Sequence, residues 1–147
     1  MVTIRKVGLA CDHAGYPLKE AVKQHLKAGG YEVVDFGTDS DKSVDYADFA
    51  HPLAEAVEQG ELDRGITLCG SGNGISMVAN KHQGIRAAIC WNEEITRLAR
   101  EHNDANVCSL PARFLSEDEA RRIVDLFLSA GFEGGRHKRR IDKIPYK

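Results

Sequence analysis

The sequence has no long hydrophobic run: a stretch such as Ile85 to Trp91 is broken by Arg86 and falls far short of the roughly 18 apolar residues that a spanning helix requires. No membrane segment is expected. The run after Arg5 and Lys6 stops at Asp12, too early for a signal peptide, so the reading is a cytoplasmic protein. An excess of one charge is also missing. Twenty Lys and Arg against 22 Asp and Glu leave a formal charge of −2, which gives the whole molecule no pull toward nucleic acid or an acidic membrane. Any anion site has to be local. The four cysteines, Cys11, Cys69, Cys90 and Cys108, form no CxxC pair and have no ligand-like spacing to the six histidines. That argues against zinc and against a disulfide scaffold. Linkers, repeats and low-complexity tracts are lacking too, so the chain, 42% hydrophobic, reads as a single domain over 1–147.

What is present is an alternation of two periodicities. Short β-branched runs at Val2 to Ala10, Tyr31 to Phe36, Arg64 to Cys69, Ile85 to Cys90 and Val107 to Leu110 read as strands. Between them, Leu18, Ala21, Val22 and Leu26, then Phe49, Ala50, Leu53, Ala54 and Val57, then Ile95, Leu98 and Ala99 recur at helical spacing. Pro52 is expected in the first turn of its helix, where its missing N–H costs nothing. Ser116 and Glu119 form a capping box ahead of Ala120, Ile123, Val124, Phe127 and Leu128, the core face of a last long helix. Strands joined by helices are parallel and right-handed in their crossovers. The expected fold is therefore α/β: a three-layer αβα sandwich with a five-stranded parallel sheet, Rossmann-like.

In such sheets ligands bind beyond the carboxyl ends of the strands, which directs attention to Asp12-His13, Cys69 to Gly74, Trp91-Asn92 and Pro111 to Arg113. Glycines at 70, 72 and 74 let successive backbone N–H groups converge ahead of a helix, an anion cradle in sequence form. A bare glycine-rich turn is also a common tight connection. A nucleotide P-loop fails because no lysine follows the second glycine, and dinucleotide binding fails because its fingerprint belongs after the first strand. A cysteine phosphatase would need an arginine where Ile75 stands. Cys69 has an inert reading as a buried apolar group and a chemical one as a thiolate at a helix N-terminus, able to accept a proton. Asp12-His13 could simply cap the first helix, and His102-Asn103 could simply end the helix that follows the fourth strand.

From Gly134 onward the chain has six Lys or Arg against one Asp, so the remainder holds the excess of acid. No aromatic residue interleaves with the arginines, which disfavours a nucleic-acid arm. Arg136 and Arg140, one helical turn apart, suit capture of a phosphate better, and segment 134–147 is expected to contribute to that binding.

The motifs Cys11-Asp12-His13-Ala14-Gly15, Asp45-Tyr46, Cys69-Gly-Ser-Gly-Asn-Gly-Ile-Ser76, Ala79-Asn80-Lys81, Gly84-Ile-Arg86, His102-Asn103-Asp104-Ala-Asn106-Val107 and Glu133-Gly-Gly-Arg136-His137 run nearly the length of the chain. In this order and spacing they strongly resemble the ribose-5-phosphate isomerase type B family, which also holds galactose-6-phosphate isomerase subunits. The resemblance implies a cofactor-free, metal-free interconversion of ribose 5-phosphate and ribulose 5-phosphate through a cis-enediolate, a step of the non-oxidative pentose phosphate pathway. It gives Cys69 the part of the base moving a proton between C2 and C1, and His102 that of the acid in ring opening, with Ser71 and Asp12 assisting. By the same resemblance, backbone amides of Gly70, Gly72, Asn73 and Gly74 hold the enediolate oxygen, and Tyr46 and Asn103 contact the sugar. His13, Arg113, Arg136 and Arg140 surround the phosphate. Relatives of this kind are homodimers or homotetramers whose sites are completed by a neighbouring subunit, so the expected partners are a sugar phosphate and a second copy, with neither nucleic acid nor membrane. Two other readings stand beside this one. They are an isomerase of a six-carbon sugar phosphate, such as allose 6-phosphate or galactose 6-phosphate, and a noncatalytic sugar-phosphate sensor; a subunit that requires a different partner is disfavoured by the complete residue set.

Overall fold

The structure, a computed structural model, describes residues 3–146. Five strands, β1 (Lys6–Cys11), β2 (Glu32–Asp35), β3 (Arg64–Cys69), β4 (Ala87–Ile89) and β5 (Val107–Pro111), form one sheet in the order β2-β1-β3-β5-β4. All neighbouring pairs are parallel. The strand expected from Val2 begins at Lys6, and Val2 itself lies outside the described residues, as does Lys147. Six helices accompany the sheet among these residues: α1 (Tyr16–Ala28), α2 (Tyr46–Glu58), α3 (Asn73–Ala79), α4 (Glu93–Glu101), α5 (Glu117–Ser129) and α6 (Arg136–Ile141).

Side-chain alternation along the strands divides the core in two. Val7, Leu9, Ile66, Leu68, Cys108 and Leu110 face α1, α4 and α5. Ala10 and Val107 face the other way, toward Leu53, Ala54 and Val57 of α2 and Ala79 of α3. Cys69 is on that second face, beside Ala50 and Ile75. The expected αβα sandwich is thus observed, with a narrow fit where glycine occupies the strands: a Cβ on Gly65 would lie 2.5 Å from Leu53 Cδ2.

One local expectation needs correction. Pro52 lies inside α2, not in its first turn, because that helix begins three residues earlier than Phe49, at Tyr46. The exposed flank of the helix lets water serve the carbonyl that proline leaves without a donor. The early start brings Tyr46 to the rim of the sheet. The basic C-terminal stretch is the short helix α6, with His137 and Ile141 buried beneath it.

Lys19 of α1 is fully buried, and its ammonium donates to Asp35 Oδ1 at 2.6 Å and to the Thr38 carbonyl at 2.7 Å. Burial by itself would raise the Asp35 carboxyl, but hydrogen bonds from Lys19, Lys23 and the Gly37 N–H outweigh it and hold the group below its ordinary value. This clip fastens the segment after β2 to the end of β1. Cys11 N–H donates to the Gly37 carbonyl at 2.8 Å and Thr38 N–H to the Cys11 carbonyl at 2.9 Å.

Candidate active site

β1 and β3 are neighbours, yet the chain leaves them in opposite directions, to β2 on one side and toward β5 and β4 on the other. The loops beyond their carboxyl ends must diverge, and the crevice so opened is where doubly wound sheets take ligands. Here it is an open cleft of about 480 Å³ bordered by Asp12, His13, Tyr46, Cys69, Ser71 and Arg113, with Gly70 and Gly74 in the loop between.

Cys69 ends β3 and is 5% exposed, so its thiol faces the cleft from a dry floor. Two residues earlier on the same strand, Thr67 Oγ1 and Ser109 Oγ are 2.7 Å apart in a buried hydroxyl pair between β3 and β5. Gly72, at φ +80, is in the left-handed region that glycine enters freely, and it turns the chain from β3 into α3. Ser71 Oγ accepts the Asn73 N–H at 3.2 Å. Neighbouring side chains lie directly on the glycines. A Cβ at Gly74 would be 2.4 Å from Tyr46 Cζ, and one at Gly70 would be 2.9 Å from Arg113 Nη1. Tyr46 and Arg113 are therefore the walls of the cleft, and the Arg113 N–H donates to the Gly70 carbonyl at 3.0 Å, which ties the β5 loop to the β3 loop.

The cap expected of Asp12 for the first helix serves instead the 3₁₀ turn ahead of it, and α1 starts from Gly15 with no side-chain cap. Asp12 Oδ1 accepts from the N–H groups of Ala14 and Gly15 at 3.0 and 3.2 Å, capping the 3₁₀ turn His13–Gly15, and the residue also borders the cleft. Val44 N–H donates to His13 Nδ1 at 3.2 Å. A nitrogen that accepts a hydrogen bond carries no proton, so neutral His13 has its N–H on Nε2. Burial pushes the Cys11 thiol up to about 12, which keeps it protonated and leaves it no part as a base beside Cys69.

His102, Asn103, Arg136 and Arg140 are not in this cleft. Cys69 pairs with Pro111 at the carboxyl end of β5, while His102 follows α4 and precedes the amino end of that strand. Within one chain the full length of β5 separates them, on the order of 15 Å at about 3.3 Å per residue. The four residues expected around the phosphate therefore do not meet within one chain: His13 and Arg113 are at one end of the sheet, and Arg136 and Arg140 at the other. At that second end His102 stacks on His137 of α6, with centroids 4.3 Å apart and planes 14° from parallel. Glu133 Oε1 is 3.7 Å from His102 Nε2 and 3.3 Å from His137 Nε2. Donor atoms of these three residues lie within 4.8 Å of one another, but the in-plane lone pairs of nearly parallel imidazoles do not converge on one ion. Asn103 borders a separate cavity of about 270 Å³ together with Arg86, His82 and Ile144.

Reasoning from sequence missed Val44, Thr67, Ser109 and Lys19. The first acts through its backbone, and the others declare themselves only through partners distant in sequence.

A cysteine, a carboxylate, an imidazole and a guanidinium gathered at the switch point of a parallel sheet define an α/β enzyme built for a small anionic substrate. The chain belongs to the ribose/galactose isomerase family, whose model matches residues 7–144. It is 44% identical to the ribose-5-phosphate isomerase B of Escherichia coli (strain K12), over 96% of this chain and 95% of that protein. Among solved structures, the Clostridium thermocellum ribose-5-phosphate isomerase B superposes with a TM-score of 0.94 at 54% identity, covering 95% of each chain. The Mycoplasma genitalium ribose-5-phosphate isomerase B, solved with bound ribulose-5-phosphate, gives 0.92 at 45% identity, covering 97% of this chain and 95% of that one. No helix among the described residues is long and apolar enough to cross a membrane.

Proposed function

We propose that this protein interconverts ribose 5-phosphate and ribulose 5-phosphate through an enediolate, with Cys69 as the base. The observation that carries the reading is the Cys69 thiol on a nearly dry floor, between Asp12 and the arginine-walled side of the cleft, in a chain whose relative was solved with ribulose-5-phosphate. The C2 proton of an aldose is weakly acidic, and its removal becomes feasible only where the negative charge that develops on oxygen meets fixed donors. The backbone amides of Gly70, Gly72 and Gly74 are suited to that role, while the amide of Asn73 is already engaged by Ser71. Cys69 takes the C2 proton and returns it to C1. Asp12 and Ser71, whose oxygens border the same cleft, move protons between the two sugar oxygens. Tyr46 covers the sugar, and His13 through Nε2–H together with Arg113 grips the phosphate.

The remaining residues come from a second copy. His102, Asn103, Arg136 and Arg140 are grouped at the far end of the sheet, so they serve the cleft of a partner chain, and the working protein is a homodimer or a tetramer of such dimers. Within that shared site His102 donates the proton that opens the furanose ring, and Arg136 and Arg140 close on the phosphate from the opposite side. No organic cofactor or metal enters these steps, and the reaction belongs to the cytoplasm.

A single preparation assayed for kcat/KM with ribose 5-phosphate, allose 6-phosphate and galactose 6-phosphate tests the assignment. Ribose 5-phosphate should be preferred. A preference for either hexose phosphate moves the protein to the six-carbon reading, and binding without turnover makes it a sensor.

A further inference from the structure

Asp104 is the only non-glycine residue at positive φ, at +46°, among the described residues. It immediately follows His102 and Asn103. A side chain in this region persists only where its surroundings hold it there, and such positions gather at functional sites. The restraint here comes from two arginines, Arg86 in the loop just before β4 and Arg100 on α4. Arg86 Nε donates to the Asp104 carbonyl at 2.9 Å and its Nη2 is 3.4 Å from Oδ2, while Arg100 Nη1 donates to Oδ1 at 2.8 Å. Arg100 is itself buried and fixed by the carbonyls of Ala105 and Ala130, at 2.7 and 3.1 Å. Asn106 completes the fastening, accepting the Arg86 N–H at 2.7 Å and donating to the Gly84 carbonyl at 2.9 Å.

We infer that Asp104, clamped by Arg86 and Arg100, is a positioning residue that fixes where His102 and Asn103 leave the end of α4. The inference rests on the proposed role of His102 and adds to it the device that aims the imidazole. A planar guanidinium engages two groups of one residue in a fixed orientation, which a lysine cannot reproduce. The clamp thus controls direction as well as charge. His102 is half-exposed at the C-terminal end of α4, where its N–H donates to the Leu98 carbonyl at 2.9 Å; its ring meets His137 and the Glu133 carboxylate, and the clamp sets the path of the chain that carries it.

The test uses the full chain and two rates. Net conversion of ribose 5-phosphate requires the ring to open. Deuterium exchange at C1 of ribulose 5-phosphate in heavy water does not, since the ketose has its O5 phosphorylated and cannot close a five-membered ring. Arg86→Lys should lower net conversion about tenfold or more and exchange by less than about threefold, in line with the sensitivity of catalysis to misplacement. In a His102→Asn background the same substitution should add less than about threefold to the loss of net conversion, because residues acting through one another are not additive. Should Arg86→Lys fail to fold by circular dichroism, Asp104→Asn, whose side chain tolerates positive φ, is read in the same way. Equal losses in both rates, or a loss that multiplies with that of His102→Asn, overturn the clamp. If His102→Asn lowers both rates equally, its assignment to ring opening falls, and the double variant still judges the clamp by whether the two losses multiply.

Discussion

Replacing Gly15 with alanine should damage stability and catalysis together. Gly15 has φ −91° and ψ −6°, a conformation open to any residue, so the backbone itself presents no obstacle. The obstacle is β3. A Cβ at this position would lie 2.6 Å from the Leu68 carbonyl oxygen and 2.8 Å from its carbonyl carbon, where 3.4 Å is ordinary contact. Both partners are backbone, held by the sheet on one side and by the Asp12 cap on the other, so the turn has to retreat by most of an ångström. Overpacking of this kind costs about 1 to 3 kcal/mol. For a chain of this size, about 2 kcal/mol lowers Tm by about 4 to 8 °C. The retreat also carries Asp12 away from Cys69, since Asp12 N–H donates to the same Leu68 carbonyl at 3.2 Å and its carboxylate holds the Gly15 N–H. Misplacement on this scale can reduce kcat by about 100-fold. Gly131→Ala, where no heavy atom lies within 4 Å of the added carbon, is the control and should stay within about 0.5 kcal/mol of the parent. Calorimetry and steady-state kinetics on both variants decide the matter. A Gly15→Ala protein with unchanged Tm and kcat refutes the packing argument, and one with lowered Tm but intact kcat refutes the link from this contact to the site.

Cys69→Ala should abolish deuterium wash-in at C2 while leaving substrate affinity within a few fold, since a base contributes chiefly to the transition state; exchange at near the parent rate removes Cys69 from that role. Arg136→Ala and Arg140→Ala should each raise KM for the phosphorylated sugar by about 10- to 150-fold, the worth of a charge-assisted contact, and a double variant with unchanged kinetics would make α6 a solvated appendage. The Asp63 carboxyl is held below its ordinary value of 3.8 by the N–H groups of Lys6 and Arg5, so its stabilisation is complete above that value and lost as pH falls through the folded one. The urea midpoints of the parent and of Asp63→Asn should therefore differ by a constant amount from about pH 7 to 5 and converge below about pH 4; a gap that widens in acid contradicts the assignment.

The layers of the fold were readable because each helix and strand announces itself by its own period, from Leu18 to Leu26 and from Arg64 to Cys69. Pro52 was misplaced because a local rule about proline gave way to the packing of Leu53 and Ala54 on the sheet, which draws the helix back to Tyr46. The Asp12, Cys69 and Arg113 loops could be grouped from sequence, since all three follow strands of one parallel sheet. His102 follows a helix, and in a parallel sheet helices run back to the amino ends of the strands. That difference was available from topology, yet resemblance to a family ranks residues by role and is silent on which end of the sheet each occupies. Lys19 with Asp35, Thr67 with Ser109 and Arg86 with Asp104 stayed invisible for another reason. Each is ordinary alone, and only the fold supplies its partner.

Under the shared-site reading, the polarity of the sheet makes two dead proteins able to revive one another. Each chain keeps Cys69 at one end and His102 at the other, so a mixed dimer of Cys69→Ala with His102→Asn assembles one cleft with both groups intact and one with neither. Random reassortment of equal amounts gives about half of the dimers this mixed composition, returning about a quarter of the parent's sites. Neither variant alone can do so at any concentration. The same arithmetic would operate between two defective alleles in one cell, where inactivity of each copy would not predict the phenotype of the pair.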